Sequence, residues 1–402
     1  MKTLRLQTLA LLSIALTLTS SRALAQGDLT PPGAPAPTMR TLLQIEPRTP
    51  IDSTHTPGDA DSLFKITAPG SYYLTGNIVL STRLGAVTKQ VGIEVAASQV
   101  TIDLNGFRIS GSGVAQSLSG ISVSSTYKNV TVKNGTIAGW GAHGIKAAGV
   151  KCSSFQDLCL DSNDDTGLSA GDECVVRNCR AVSNGTNGIV VGSFCSIVDC
   201  QARSNPKVGI SASTRSIISR CAVGDATSGD GIIADSFCSV DHCTVYNAYG
   251  WGIKTTQRPT ISDCVVDSSG HPDQNGVSGG ILLHFTGTVK HCVISFNLVG
   301  IEILGSSDGG GCVVLENEID SNTGGGIDVL SGGNKIDGNT IGFNGGPAIR
   351  THTAGNLIIR NHAVGNNGGA SDYALGGNDT FGPIITGKGL IASSNPWANF
   401  QQ

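Results

Sequence analysis

The chain has 402 residues, with 26 basic and 30 acidic side chains and a formal net charge of −4 at neutral pH. That balance argues against a nucleic-acid partner, which favours a basic patch, and leaves neutral or cation-bridged polysaccharide open. Fifty-five glycines and only 5% aromatic residues argue against a helical protein, because glycine is costly inside helices. Val, Ile and Cys, the main apolar types, suit strands.

The first 25 residues read as a signal peptide. Lys2 and Arg5 form a basic start, Leu9 to Leu18 an apolar stretch too short to span a bilayer, and Ala23-Leu24-Ala25 a cleavage site. No later run approaches a membrane span. The mature chain is therefore expected to be secreted, whether extracellular, periplasmic or at the cell surface. Without Lys2, Arg5 and Arg22, 23 basic residues face 30 acidic ones, a net charge of about −7. Residues 26–60 carry Pro31, Pro32, Pro35 and Pro37 and read as an extended linker. From Asp61 to Leu80 apolar and polar residues alternate, as expected of a cap on a repeat that starts behind it. Residues 61–402 then form one domain, closed at its far end by a tail from Gly382 in which Trp397 and Phe400 cover the last core layer.

Between the caps a small residue followed by Ile or Leu returns twelve times, from Gly92-Ile93 through Gly188-Ile189 and Gly300-Ile301 to Ala348-Ile349, at a spacing near 22 residues. Such a period signals a solenoid. One coil can be written from Ile189: Ile189 and Val191 inward on a first strand, Cys195 and Ile197 on a second. After a bend at Val198-Asp199 come Cys200 and Ala202 on a third, then a corner at Asn205. The expected fold is all-β, a single-stranded right-handed parallel β-helix of about 12 coils with three short strands each and caps at both ends. The chain is expected to be a monomer.

Two more columns share the register. The third-strand position reads Cys159, Cys179, Cys200, Cys221, Cys243, Cys264 and Cys292, then Asn317, Asn339 and Asn361. The corner reads Asn163, Asn184, Asn205, Asp225, Asn247, Asn297, Asn322, Asn344 and Asn366. Stacked Asn side chains can hydrogen-bond along the column, and Asn tolerates the left-handed backbone of a tight corner. Pairs such as Cys195 and Cys200 lie too far apart across two strands for a disulfide, and parallel Cβ vectors suit a vertical bridge poorly. The cysteines are expected to be a buried ladder of free thiols, with vertical bridges as the alternative and no structural zinc spacing.

These columns resemble those of exported right-handed β-helix repeat proteins of the pectate lyase-like superfamily, over roughly residues 61–402. The resemblance implies the fold, and it implies handling of polysaccharide or cell-surface glycan as substrate or partner. It does not fix an activity, because the scaffold hosts many. Polygalacturonase-like pieces, Asn163-Asp164-Asp165-Thr166-Gly167, Ala142-His143-Gly144 and Gly252-Ile253-Lys254, stand in the wrong order. Asp164 and Asp165 share a corner with Asn184-Gly185-Thr186 and read as corner residues.

The outward positions of the Gly-Ile strands are uneven. Middle coils are bland, whereas the last five gather Lys254, His284, Glu302, Asp328, Arg350 and His352. Glu302 and Asp328 fall on adjacent coils, close enough for an acid/base pair or shared Ca²⁺ ligands. Arg350, one coil on, would bind a substrate carboxylate or act as base. Lys254, His284 and His352 would bind substrate. Insertions around His271 to Ser278 and Ser306 to Gly311 would wall this face on both sides. As an enzyme the chain would be a lyase or glycoside hydrolase acting on acidic polysaccharide. The rival reading is a non-catalytic structural or adhesive surface solenoid, on which Glu302, Asp328 and Arg350 are a surface charge ladder.

Overall fold

The computed structural model describes residues 47–80, 91–111, 118–274, 278–305, 310–367, 372–387, 389–390 and 393–402. The segment expected to be a signal peptide and most of the expected linker lie outside these residues, as do much of the second insertion and the middle of the first.

Residues from Arg48 onward make a right-handed parallel β-solenoid. Among the described residues the Gly-Ile strands form one sheet of fourteen parallel strands, and the second and third strands of the coils join in a second sheet. The coil at Ile189 shows the pattern: strands Ile189–Val191, Ser196–Val198 and Gln201–Arg203 bury Ile189, Val191, Ile197 and Ala202, with Cys195 and Cys200 inward just ahead of the second and third strands. Asp199, at φ 56°, turns the chain between the last two strands. Strand alternation gives each coil a filled interior and a polar outside.

Glycine recurs before the Ile because the backbone ladder begins there. The Ile amide of each coil donates to the glycine carbonyl of the next, as Ile189 does to Gly209 at 3.0 Å. A Cβ on Gly188 would lie 2.5 Å from that carbonyl oxygen, and one on Gly300 2.4 Å from the carbonyl of Gly326. No side chain fits in that space.

The two sheet-end strands missing from the sequence count are Ser62–Ile66, paired with Val91–Val95, and Tyr373–Ala374, paired with Ile349–Thr351. The alternating segment expected to be a cap is therefore a coil in its own right: Gly70–Tyr73 pairs with Val100–Asp103, and Ile78–Val79 with Ile109–Ser110. The chain joins the solenoid before Asp61, since Thr49–Pro50 pairs with Tyr72 and Tyr73, Ile51 is buried, and Arg48 meets Asp103 at 3.1 Å. At the other end Asn399–Gln401 pairs with His362–Val364 and buries Asn399. Trp397 does not cover the core: it is 51% exposed and lies beside the Arg360 guanidinium.

The Asn corner is a hydrogen-bonded column with two interruptions of register. Asn163 donates to Asn184 and Asn184 to Asn205; a second run goes from Asn297 through Asn322 and Asn344 to Asn366, which ends on Asp372. Asp225 and Asn247 stand outside it. Their φ angles are 57° and 51°, they align with Ser204, and Ala226 and Ala248 take the inward place. The left-handed residue of the corner is thus the one before the Asn, for example Ser183 at φ 54°, and the Asn is selected by hydrogen bonding. Cys159 is likewise displaced. It pairs with Arg180 and faces outward, so Leu158 fills the inward position ahead of Cys179. All twelve cysteines are free and ten are fully buried; burial raises the Cys238 thiol and pushes Cys312 up to about 12.

Candidate functional site

On the Gly-Ile sheet the backbone register stacks Lys254, Leu282, Glu302, Asp328 and Arg350 on successive strands. Their neighbours Ile253, Ile281, Ile301, Ile327 and Ile349 are all wholly buried, which fixes these five side chains on the outer surface. The column predicted from the repeat is the column the fold builds.

Glu302 and Asp328 occupy different environments. Glu302 is only 9% exposed, and no hydrogen bond from a described residue reaches its carboxyl. Burial, and secondarily the charge of Asp328, push it up to about 7, against a smaller lowering effect of His352. Asp328 is instead hydrogen-bonded: His352 Nε2 lies 2.8 Å from its Oδ1. One carboxyl thus holds a proton near neutral pH while its neighbour is paired with an imidazole. Such a split in environment is what lets two carboxyl groups take acid and base roles.

Arg350 sits exposed beyond Asp328 and enters no ion pair among the described residues, because His352 takes the Asp328 carboxylate. Its guanidinium fork is open to a ligand. Lys254 and His284 are not at this cluster. They line a groove of about 430 Å³ that runs from the Lys254 coil to the coil of Glu302, together with Asp230, Trp251, Leu282 and Leu304. Asp230 holds Lys254 at 3.6 Å and accepts the Trp251 amide at 2.7 Å; the His284 ring tilts against Phe285. The six predicted residues therefore form a strip along the sheet, with Glu302, Asp328 and His352 as its tight centre. Asp230 and Trp251 also line this groove, and nothing in the repeat pattern marks them. The Asp ahead of Gly231-Ile232 looks like any corner residue until Lys254 is placed against it.

For calcium the protein supplies two carboxylates here, Glu302 and Asp328. Among the described residues no group of three or more His, Cys, Asp or Glu side chains is arranged to hold a metal ion. Ca²⁺ takes 6–8 oxygen ligands, so the donor set does not make a dedicated site by itself. The Asp164–Asp165 corner behaves as a corner: the Asp165 carboxylate accepts from Thr186 on the next coil and lies 3.6 Å from His143.

Comparison with known proteins gives several distant structural likenesses and one family match. The chain resembles a GH87 α-1,3-glucanase catalytic domain solved with tetrasaccharides at 13% identity, over 71% of this chain and 61% of that one, with a TM-score of 0.43. It resembles the A-module of the Azotobacter vinelandii mannuronan C-5 epimerase AlgE4 at 12% identity, over 78% and 91%, TM-score 0.43. The periplasmic alginate epimerase AlgG matches at 14%, over 77% and 76%, TM-score 0.42. The chain thus spans about three-fifths of the glucanase domain. No curated protein matches it. Residues 66–223, 193–341 and 230–387 each match the right-handed β-helix region family, and the chain belongs to that family.

Proposed function

We propose that this chain is an exported protein that binds an acidic polysaccharide along the Gly-Ile sheet and cleaves it at Glu302 and Asp328. The observation that carries the reading is the pairing of a buried carboxyl pushed up to about 7 with a neighbouring carboxylate held by histidine. Their strands are hydrogen-bonded neighbours, and strands lie about 4.8 Å apart. That is near the separation of about 5 Å found in retaining glycosidase pairs. In this reading Glu302 gives its proton to the departing glycosidic oxygen, and Asp328, oriented by His352, is the nucleophile or base. Arg350 binds a uronate carboxylate through its fork. Lys254 and His284 hold sugars further along the strip. A cation would act only as a bridge between the carboxylate pair and the substrate.

The test is a depolymerisation screen on polygalacturonate, alginate and neutral glucans, with and without chelator, using the mature chain and Glu302→Gln. Cleavage of a uronate polymer that Glu302→Gln lowers at least a hundredfold supports the proposal. Binding without cleavage of any polymer overturns the catalytic half and leaves a non-catalytic surface solenoid.

A further inference from the structure

A second face of the molecule carries an arrangement that folding does not require. At the bend between the Gly-Ile strand and the second strand, successive coils place Phe194, Arg215, Phe237 and Arg258 directly over one another. Arg215 lies 5.5 Å from the Phe194 ring centre and 5.3 Å from that of Phe237, and Arg258 lies 5.9 Å from Phe237. Phe194 remains 56% exposed and Phe237 43%. All four residues have left-handed backbone, with φ of 58°, 59°, 61° and 49°.

Bulky side chains at positive φ recur along the solenoid, Phe296 and Phe343 among them; what sets this strip apart is that its rings and guanidinium groups alternate within contact of one another. A bulky residue at positive φ is unfavourable, and Asn or Gly would make the same bend at lower cost. Two phenylalanines held there in solvent gain little from burial. Among the described residues neither Arg215 nor Arg258 enters an ion pair, whereas Arg203, Arg220 and Arg360 do; both guanidinium groups meet only the aromatic rings beside them. The strip therefore presents aromatic faces and uncompensated guanidinium groups in strict alternation. Exposed Ile217 beside it widens the apolar part.

We propose that this strip is a binding site for an anionic glycan, separate from the Gly-Ile face and not dependent on its chemistry. The coil spacing of about 4.8 Å is close to the length of one sugar residue, so a regular polymer laid along the axis meets an aromatic ring and a guanidinium group in turn, the pair recurring every second residue. Sugar C–H faces pack on Phe194 and Phe237, and carboxylate or sulfate groups take the forks of Arg215 and Arg258. A folded protein partner would not be expected to share that repeat, and the overall negative charge disfavours nucleic acid.

Affinity electrophoresis of the mature chain through gels holding alginate, chondroitin sulfate or neutral dextran tests this. Retardation is expected in both anionic glycans and absent in dextran, weakening as salt rises. Phe194→Asn with Phe237→Asn, and separately Arg215→Gln with Arg258→Gln, should each weaken it at least tenfold with an unchanged melting temperature. Arg180→Gln, at an exposed arginine on a third strand outside both strips, should leave it unchanged. Unchanged retardation in both double variants overturns the proposal, as does an equal loss in Arg180→Gln. Variants that melt earlier yet bind normally would make the stack a structural brace. Binding to anionic phospholipid vesicles without binding to either glycan would assign the strip to a membrane surface instead.

Discussion

Glu302 lies between Ile301 and Ile303, both with no exposed surface, and faces Asp328 across one strand pair. Its proton is held to about pH 7, whereas an unfolded Glu releases it near pH 4.3. Between those values the folded state binds more protons, so stability falls as pH rises through the window and stays lower above it. Glu302→Gln removes the buried charge and keeps the shape. It should be neutral at pH 4 and stabilise by on the order of 1–3 kcal/mol at pH 8, read by urea unfolding at the two pH values. Coincident curves at pH 8 would contradict a desolvated carboxyl. A second residue-scale expectation concerns thiols. Cys152 is exposed and its Sγ donates to Glu173 at 2.9 Å, an interaction that raises its pKa, while ten others are buried. A thiol reagent should label Cys152 first in the native protein, and Glu173→Gln should speed that labelling. Fast reaction of several thiols would mean that the interior is open.

At the scale of the coil, two columns set the stacking. Gly300→Ala puts a methyl 2.4 Å from the Gly326 carbonyl, and neither strand can move without breaking its ladder; a loss of about 2–3 kcal/mol is expected. Asn322→Ala has a different cost. It deletes the bonds to Ile294 O and to Asn344 and strips Asn297 of its acceptor, leaving buried polar groups unpaired at about 1–3 kcal/mol each. Denaturant titration of both variants checks these values, and losses below 1 kcal/mol would show that the columns flex. The Gly-Ile column was legible in the sequence because its spacing survives insertions. The exact register of the others was not. Cys159 and Asp225 each sit one residue from the column their type suggests, and only the burial pattern of the coil reveals it.

For the solenoid as a whole, each coil touches chiefly its neighbours, so stability is a sum of local terms. The Asn column is interrupted where Ala226 and Ala248 take its place, between the run that ends at Asn205 and the run that starts at Asn297. Native-state hydrogen exchange should find the coils around Ala226 and Ala248 less protected than those around Asn184 and Asn344. Uniform protection would mean that the apolar core alone governs opening. The repeat and its alternation determined the fold from sequence, because the steric demand on glycine and the inward Ile are local and recur on every coil. The same ruler placed Glu302, Asp328 and Arg350 in one column. Packing between coils settled that His352 rather than Arg350 holds Asp328, that Glu302 is buried enough to keep its proton, and that Phe194 and Arg215 stack in solvent. Those properties depend on which groups from neighbouring coils share a space, and spacing along one chain does not carry that information.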